Sequence, residues 1–239
     1  MAAGFAAGSA KHMIGGGPVE SGVIQTADAA APAADVTTHA HFDAWRRGLA
    51  SGDLVFRARR GGWGAMGTQL SDRDRRFGHV GVAISEADGM FVVHAAGDPL
   101  LPEGRVRKDP LDTFLDRAVR VGSYRLPMDA GDTFRFVGGI ADYHARGVAF
   151  DRTYSLARAE AVYCTELVWR VWADVVESDP VEERTMWRRK RVIALDDLQY
   201  APGVVETGVI DMDGRPVEVT VSPPRKALTD RLDYAQATR

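Results

Sequence analysis

Alternating apolar and polar positions predict several β-strands along the chain. LVFRAR (54–59) alternates in this way, as expected where successive side chains point to opposite faces of a sheet. GHVGVAI (78–84) and GMFVVHAAG (89–97) are stronger examples, and the turn-forming cluster SEADG joins them into a predicted hairpin. VRVGSYRL (119–126) is predicted to return as a further strand.

Apolar residues at three- to four-residue spacing predict helices elsewhere. These helices cover residues 42–49, 109–119 and 132–147, and a fourth runs on from Cys164. Asp109 is predicted as an N-cap with Pro110 in the first helical position, and Gly147 is predicted to end the third helix. The fourth helix carries a continuous apolar stripe toward the core.

The order of these elements favours an α+β fold. Strands and helices do not alternate regularly, as they would in a doubly wound sheet. GVIDMDGRPVEVTV (208–221) adds a second hairpin signal with its turn at Asp213-Gly214. The basic run at residues 188–191 is interpreted as a solvated helical face, with binding of an anionic polymer or lipid headgroup as the alternative.

Composition narrows the class of protein. The chain has 239 residues, 45% hydrophobic and 26% charged, with a formal net charge of -3. This charge gives no overall steering toward nucleic acid or membrane, and no apolar run is long enough to span a bilayer. We therefore expect one domain over residues 42–239, with no nucleic-acid partner and no integral membrane segment.

The first 41 residues form a predicted flexible leader. They are rich in Ala, Gly, Ser and Thr, and they lack the basic region followed by an apolar run that marks a secretory signal. A cytoplasmic location is the default interpretation, and export by another route stays open. The single cysteine excludes an internal disulfide, so the fold does not require an oxidising compartment.

That single cysteine, Cys164, is a candidate nucleophile. It lies in the first turn of its helix, where unpaired backbone N–H groups and the helix dipole favour a thiolate. The same N–H groups are able to hold an oxyanion. The alternative is a small buried hydrophobic side chain, which is how most free cysteines occur.

A thiol nucleophile needs a base, and two histidines of the predicted hairpin, His79 and His94, are the candidates. A four-residue loop would put both on the same face of the hairpin, whereas a five-residue loop would put them on opposite faces. The other histidines lie in or beside the leader, except His144, which is predicted near a helix C-terminus. The alternative is that both candidates are partly buried and bonded to backbone carbonyls.

These residues belong to segments that resemble the YiiX/YaeF-like proteins, circularly permuted relatives of the NlpC-type papain-like cysteine hydrolases. The matching segments, in order, are GDLVF (52–56), FGHVGVAI (77–84), FVVHAAG (91–97), FDRTYS (150–155), YCTELVWRVW (163–172) and ALDDLQYAP (194–202). In that family the histidine strand precedes the cysteine helix, as it does here. The resemblance implies a circularly permuted papain-like fold, with an antiparallel sheet packed against the cysteine helix.

The resemblance also implies site roles. Cys164 would be the nucleophile, His79 the general base and His94 the orienting residue, although family members usually carry Glu at the third position. A neutral His94 orients the base without a carboxylate's stabilisation of an imidazolium. We therefore expect a less strongly paired thiolate and a higher pH optimum.

The implied activity is that of a cysteine hydrolase of the amidase or peptidase type. Its substrate would be a peptide, a peptidoglycan fragment or a lipid-linked amide, and no cofactor or metal is implied. Acyl transfer or lipid-acyl hydrolysis is a variant that differs only in the acceptor or the acyl donor.

Two further classes stay open. Cys164, His79 and His94 have the ligand types of a zinc site but lack its short spacing. A binding module that has lost turnover is the other class. Three arginines just before His79, namely Arg73, Arg75 and Arg76, are candidates for recognising a substrate carboxylate at the mouth of a cleft.

Overall fold

The computed structural model describes residues 36–60, 68–97, 104–158, 160–181 and 184–212. The chain separates into Met1–Ala33 and Ala34–Arg239, and every described residue lies in the second unit. The leader predicted over residues 1–41 lies largely outside the described residues and stays a prediction. The helix predicted at 42–49 is present and begins earlier, at Val36.

The described part contains strands and helices in mixed order. The helices are α1 (Val36–Gly48), α2 (Leu111–Leu115), α3 (Ala130–Ala145), α4 (Cys164–Val176) and α5 (Leu195–Gln199). The strands are β1 (Leu54–Arg59), β2 (His79–Glu86), β3 (Gly89–Ala96), β4 (Arg105–Pro110), β5 (Ala118–Arg125), β6 (Ala149–Phe150), β7 (Ala161–Val162), β8 (Met186–Trp187), β9 (Lys190–Arg191) and β10 (Val205–Asp211).

Eight of these strands form one sheet in the order β10-β5-β1-β2-β3-β4-β6-β7. All its pairs are antiparallel except β6 with β7. The predicted strands at 54–59, 78–84, 89–97 and 119–126 all belong to it. The predicted α+β class is therefore confirmed, as is the mainly antiparallel sheet packed against the cysteine helix.

The sheet is covered on both faces. On one face, Val80 and Val82 of β2 share a core with Leu167 and Trp172 of α4. On the other, Val92 of β3 shares a second core with side chains of α1 and α2. Because side chains alternate along a strand, each strand of the hairpin contributes to both cores.

Two predicted elements are wrong. Residues 109–119 do not form one helix: Asp109 pairs with Val92 in the sheet, and the helix is only the five residues of α2. The pairing with β3 outweighs the local N-cap signal, since tertiary context overrides propensity. The basic run at 188–191 is the tip of the β8–β9 hairpin rather than a helical face, with positive φ at Arg188 and Arg189, as tight two-residue turns require.

The remaining predicted elements fare differently. The helix predicted at 132–147 is α3, and Gly147 follows it with φ +61°. In the predicted hairpin at 208–221, the first strand is β10, whereas its turn and second strand lie outside the described residues.

Adjacent glycines of α3 provide a matched test of how closely α3 packs on α4. A Cβ at Gly139 would lie 2.6 Å from a methyl of Val171, whereas one at Gly138 would meet nothing within 4 Å. We expect Gly139→Ala to lower the free energy of unfolding by about 1–3 kcal/mol through overpacking. Gly138→Ala should raise it by about 0.5–1 kcal/mol, because alanine favours the helix. Urea unfolding measures both, and equal effects of the two variants would contradict this packing.

Candidate functional site

The register of the central strands brings His79, His94 and Asp109 to one face of the sheet. A two-residue turn at Ala87 and Asp88 pairs Glu86 with Gly89. In this register both histidines lie on the same face, so the first of the two predicted arrangements is the correct one. β4 then pairs with β3 such that Asp109 lies opposite Val92, two residues from His94 and on the same face.

These three side chains form a continuous chain of hydrogen bonds. His79 Nε2 lies 2.8 Å from His94 Nδ1, and His94 Nε2 lies 3.0 Å from the Asp109 carboxylate. Arg107 donates a second hydrogen bond to that carboxylate at 2.9 Å. His94 thus uses both ring nitrogens inside the protein, with a side chain on each side instead of the backbone carbonyls of the alternative interpretation.

Aromatic packing holds the two imidazoles in place. The ring of Phe114 in α2 lies 5.7 Å from the ring of His79 and 4.9 Å from that of His94. Phe114 is fully buried, and His94 is only 2% exposed. Each imidazole therefore has little freedom to rotate away from its partner.

The Asp109 carboxylate sets the direction of the hydrogen bonds. The hydrogen bond from His94, supported by Arg107, holds the pKa of Asp109 at about 2 against the opposing effect of burial, so the carboxylate can only accept. His94 must then donate from Nε2 and accept at Nδ1, which requires His79 to donate from Nε2. The lone pair of His79 is consequently on Nδ1, the ring nitrogen that takes no part in these hydrogen bonds.

Asp109 is the site residue that the sequence analysis missed. In the sequence Asp109 precedes Pro110 and an apolar run, which fits a helix N-cap. The residue that shows otherwise is Val92, its pairing partner in β3. Asp109 also lines a surface groove along β4 together with Arg107, Lys108 and His144, so the outer end of the chain reaches solvent.

Both histidines are held in the neutral form. Burial is the largest effect and lowers the pKa of His79 well below its ordinary value, and the charges of Arg57, His94 and Arg59 lower it further. Burial also lowers the pKa of His94, although Asp109 opposes this shift. At neutral pH the His79 imidazole is therefore an unprotonated base.

Cys164 is the first residue of α4, as predicted. Burial raises the pKa of its thiol to about 11, while the backbone N–H groups of Val80, Thr165 and Cys164 itself hydrogen-bond the sulfur and lower it. The helix start is further held by Glu166, whose carboxylate accepts from the Tyr163 N–H at 3.3 Å. Glu166 therefore has a structural role at the start of α4.

The thiol is linked to the strand that carries His79 by a backbone N–H group of that strand. Val80, whose N–H donates to the sulfur, is the residue directly after His79. Among the described residues, the hydrogen bonds of His79 run to His94 and none joins its ring to the thiol. The two histidines lie on the face that α2 covers, next to Phe114, whereas α4 packs on the other face. The roles of Cys164, His79 and His94 stay predictions.

The donor set does not suit a metal ion. Both ring nitrogens of His94 are already taken by His79 and Asp109. Within the described ranges, no three His, Cys, Asp or Glu side chains are grouped so that they could hold a metal.

The three arginines predicted to recognise a carboxylate are used within the chain. Arg76 pairs with Asp74 and Glu206. Arg73 pairs with Asp197, and Arg75 donates to the Ser71 carbonyl. Their guanidinium groups hold the 71–76 segment against other parts of the fold.

Comparisons with known proteins identify the fold. No family model matches the chain, and no curated protein does. Its structure is similar to that of YiiX from Escherichia coli O157:H7, a protein described as a metalloprotein, with a TM-score of 0.52 and 16% sequence identity. The alignment covers 65% of this chain and 94% of the YiiX chain. The chain therefore has a YiiX-like fold. None of the helices in the described part is long and apolar enough to cross a membrane.

The lowered pKa of His79 predicts a pH effect on stability. An unfolded chain binds a proton at His79 as the pH falls through about 6.5, whereas the folded protein resists this, so stability falls as the solution becomes more acidic. One such group contributes at most about 1.4 kcal/mol of unfolding free energy per pH unit. We expect His79→Gln to remove part of this loss between pH 6.5 and 5, measured by urea unfolding.

The comparison must be made between parent and variant at each pH. Burial raises the pKa of Glu166 to about 7, so Glu166 alone would make the folded protein more stable as the pH falls over the same range. This contribution is common to both proteins and cancels in the difference. An identical pH dependence in parent and His79→Gln would mean that His79 is not held neutral.

Proposed function

We propose that the protein is a cysteine hydrolase of the amidase or peptidase type, with a circularly permuted papain-like (NlpC-type) fold. The observation that carries the proposal is the chain from Asp109 through His94 to His79. It leaves the basic lone pair on His79 Nδ1, in the strand whose next residue donates its N–H to the Cys164 sulfur. A thiol, a base and an orienting group are the parts that covalent acyl transfer needs.

The first half of the reaction begins from a neutral thiol and a neutral imidazole. As the sulfur attacks the carbonyl carbon of the substrate, the thiol proton moves to His79 Nδ1 and the carbonyl oxygen becomes an oxyanion. The Cys164 N–H lies at the sulfur and is able to donate to this oxyanion. The C–N bond then breaks, His79 returns the proton to the leaving amine, and a thioester remains on Cys164.

The second half uses the same groups in reverse order. A water molecule attacks the thioester while His79 Nδ1 takes one of its protons. The tetrahedral intermediate collapses, the carboxylic acid leaves, and the proton returns to the sulfur. When His79 carries the extra proton, its Nε2–H donates to His94 and the ionised Asp109 stabilises the positive charge from one ring further away.

This arrangement supports general-base catalysis over a permanent thiolate–imidazolium pair. The pKa of Cys164 lies high and that of His79 lies low, so the proton stays on sulfur until attack. The expectation of a weakly paired thiolate therefore has a physical basis. Because His79 is already unprotonated at neutral pH, activity should fall only where the solution is acidic enough to protonate it, and these pKa shifts do not favour the higher pH optimum expected from the resemblance. The substrate classes are those of the resemblance, namely a peptide, a peptidoglycan fragment or a lipid-linked amide. An acyltransferase would use the same thioester with another acceptor.

The zinc alternative is less well supported. The structural neighbour is described as a metalloprotein, but in this chain His94 has no free nitrogen for a metal. The alternative of a binding module without turnover would leave Cys164 unacylated by an activated ester.

An activated ester tests the proposal without knowledge of the natural substrate. With p-nitrophenyl acetate we expect a burst of one equivalent of p-nitrophenol and an acetyl group on Cys164, identified by mass spectrometry. Cys164→Ser should abolish the burst, and His79→Gln should slow it by about 10²–10⁴-fold, the usual contribution of a general base. His41→Gln, an exposed position on α1, serves as the control. An unacylated Cys164 in the native parent would overturn the proposal.

Asp109→Asn tests the direction of the hydrogen-bond chain. An amide nitrogen at this position can donate to His94 Nε2, which would reverse both imidazoles and leave a proton on His79 Nδ1. We expect the acylation rate to fall by about 10–100-fold, as for other residues that orient a reactive group through a second one. Nitrogen-15 NMR of the histidines should show the reversed tautomers.

The matched control for this variant is Asp112→Asn. Asp112 lies three residues after Asp109 and forms a surface ion pair with Arg46. Replacing Asp112 should leave the acylation rate unchanged. A normal rate in Asp109→Asn, or slow acylation with parental tautomers, would show that Asp109 does not orient His79.

A further inference from the structure

Two arginines beside the candidate site have unused hydrogen-bonding capacity. Arg57 pairs with His79 across β1 and β2, and Arg59, two residues later, lies close enough to act electrostatically on both Arg57 and His79. Arg57 donates through Nη1 to the Phe114 carbonyl and stacks on the Phe114 ring at 4.3 Å. This hydrogen bond uses one of the five N–H donors of its guanidinium.

Arg57 has no carboxylate partner among the described residues. The titratable groups that act on it are Arg59, Asp109, Cys164 and Arg107. The carboxylate of Asp109 is already engaged by His94 and Arg107. Burial lowers the pKa of Arg57 to about 10. A partly buried guanidinium without a counter-ion is costly unless something pairs with it.

Arg59 also has hydrogen-bonding capacity that the protein does not use. Its Nε is buried and has no hydrogen-bond partner in the part of the chain that the structure describes. Buried donors in folded proteins are nearly always satisfied, so an orphaned one needs an explanation. Arg59 has this unpaired donor, and its neighbour Arg57 has no carboxylate partner among the described residues. Together they suggest a ligand that supplies acceptors.

The local charge agrees with such a ligand. Around Arg57, the charged side chains that act on it are two further arginines, Arg59 and Arg107, and a single carboxylate, Asp109. This group of four side chains therefore has two more positive charges than negative ones, although the whole protein has a net charge of -3. Such a focused field attracts anions to one place.

We infer that Arg57 and Arg59 form a subsite for an anionic group, a carboxylate or a phosphate, of the substrate that Cys164 attacks. Guanidinium groups bind both anions through paired hydrogen bonds. The inference rests on the proposed function for its reference to a substrate, and it narrows that substrate to an acyl compound with an anionic group near the scissile bond. The subsite itself is testable without turnover.

Binding is tested first, in Cys164→Ser, so that no reactive thiol is required. Sodium acetate and inorganic phosphate are titrated separately while the Nε–H signals of Arg57 and Arg59 are followed by nitrogen-15 NMR. We expect saturable shifts at both residues with at least one anion, and the tighter of the two identifies the chemistry. The Nε–H of Arg135, which pairs with Asp132 on α3, is the internal reference. Shifts no larger than those of Arg135 with either anion would overturn the inference.

Reactivity is tested second, with two alkylating reagents of nearly equal size. Iodoacetate carries a carboxylate and iodoacetamide does not, and Cys164 is the only thiol in the chain. We expect the ratio of the iodoacetate rate to the iodoacetamide rate to fall by about tenfold in Arg57→Gln, as for loss of a hydrogen bond to a charged group. Arg59→Gln should lower it in the same direction if the first variant does not fold, and Arg135→Gln should leave it unchanged.

The outcomes separate the two proposals. If both reagents slow equally in the Arg57 and Arg59 variants, the arginines act on the sulfur and the anion subsite is wrong. If the anions shift the arginine signals but Cys164 is never acylated, the subsite stands and the hydrolase proposal fails.

Discussion

A two-residue turn at Ala87 and Asp88 decides on which face of the sheet the candidate chemistry lies. Side chains alternate along strands, so a shift of one residue between β2 and β3 would send His79 and His94 to opposite faces. The register between β3 and β4 likewise decides on which face of the sheet Asp109 lies. The hydrogen-bond chain, the aromatic cover of Phe114 and the position of Arg57 beside His79 all depend on this register.

The chain places a carboxylate one ring further from the base than a triad with a direct carboxylate would. The orientation of His79 survives the extra distance, because each imidazole passes on the direction of the hydrogen bond. The carboxylate stabilises a positive charge on His79 less strongly from this distance, since electrostatic interactions weaken with distance. The positive charges of Arg57 and Arg59 act against protonation of His79. The candidate site therefore combines a well-oriented imidazole with a weak tendency to take up a proton.

Periodicity in the sequence predicts the central strands and the cysteine helix. It places both candidate histidines in one hairpin but does not decide whether they share a face. It could not find Asp109, because an acidic residue before Pro110 fits a helix start and only the distant β3 strand reveals otherwise. The arginines before His79 illustrate the same limit. Arg73 and Arg76 pair with Asp197 and Glu206, which lie 124 and 130 residues further along the chain. Local sequence indicates which residues can recognise an anion, and only the fold shows which of them have no partner.

The hydrogen-bond chain runs from Asp109 at a solvent-lined groove, through the buried ring of His94, to the half-buried ring of His79. Asp109 is 15% exposed and contributes to the groove wall, whereas His94 is enclosed. On the opposite side, α4 carries both Cys164 and a large share of the main core, so substitutions there alter reactivity and stability together. For protein engineering the consequence is an asymmetry. The protonation pattern of the base can be rewritten from the surface by a single polar substitution, without opening a cavity in the core.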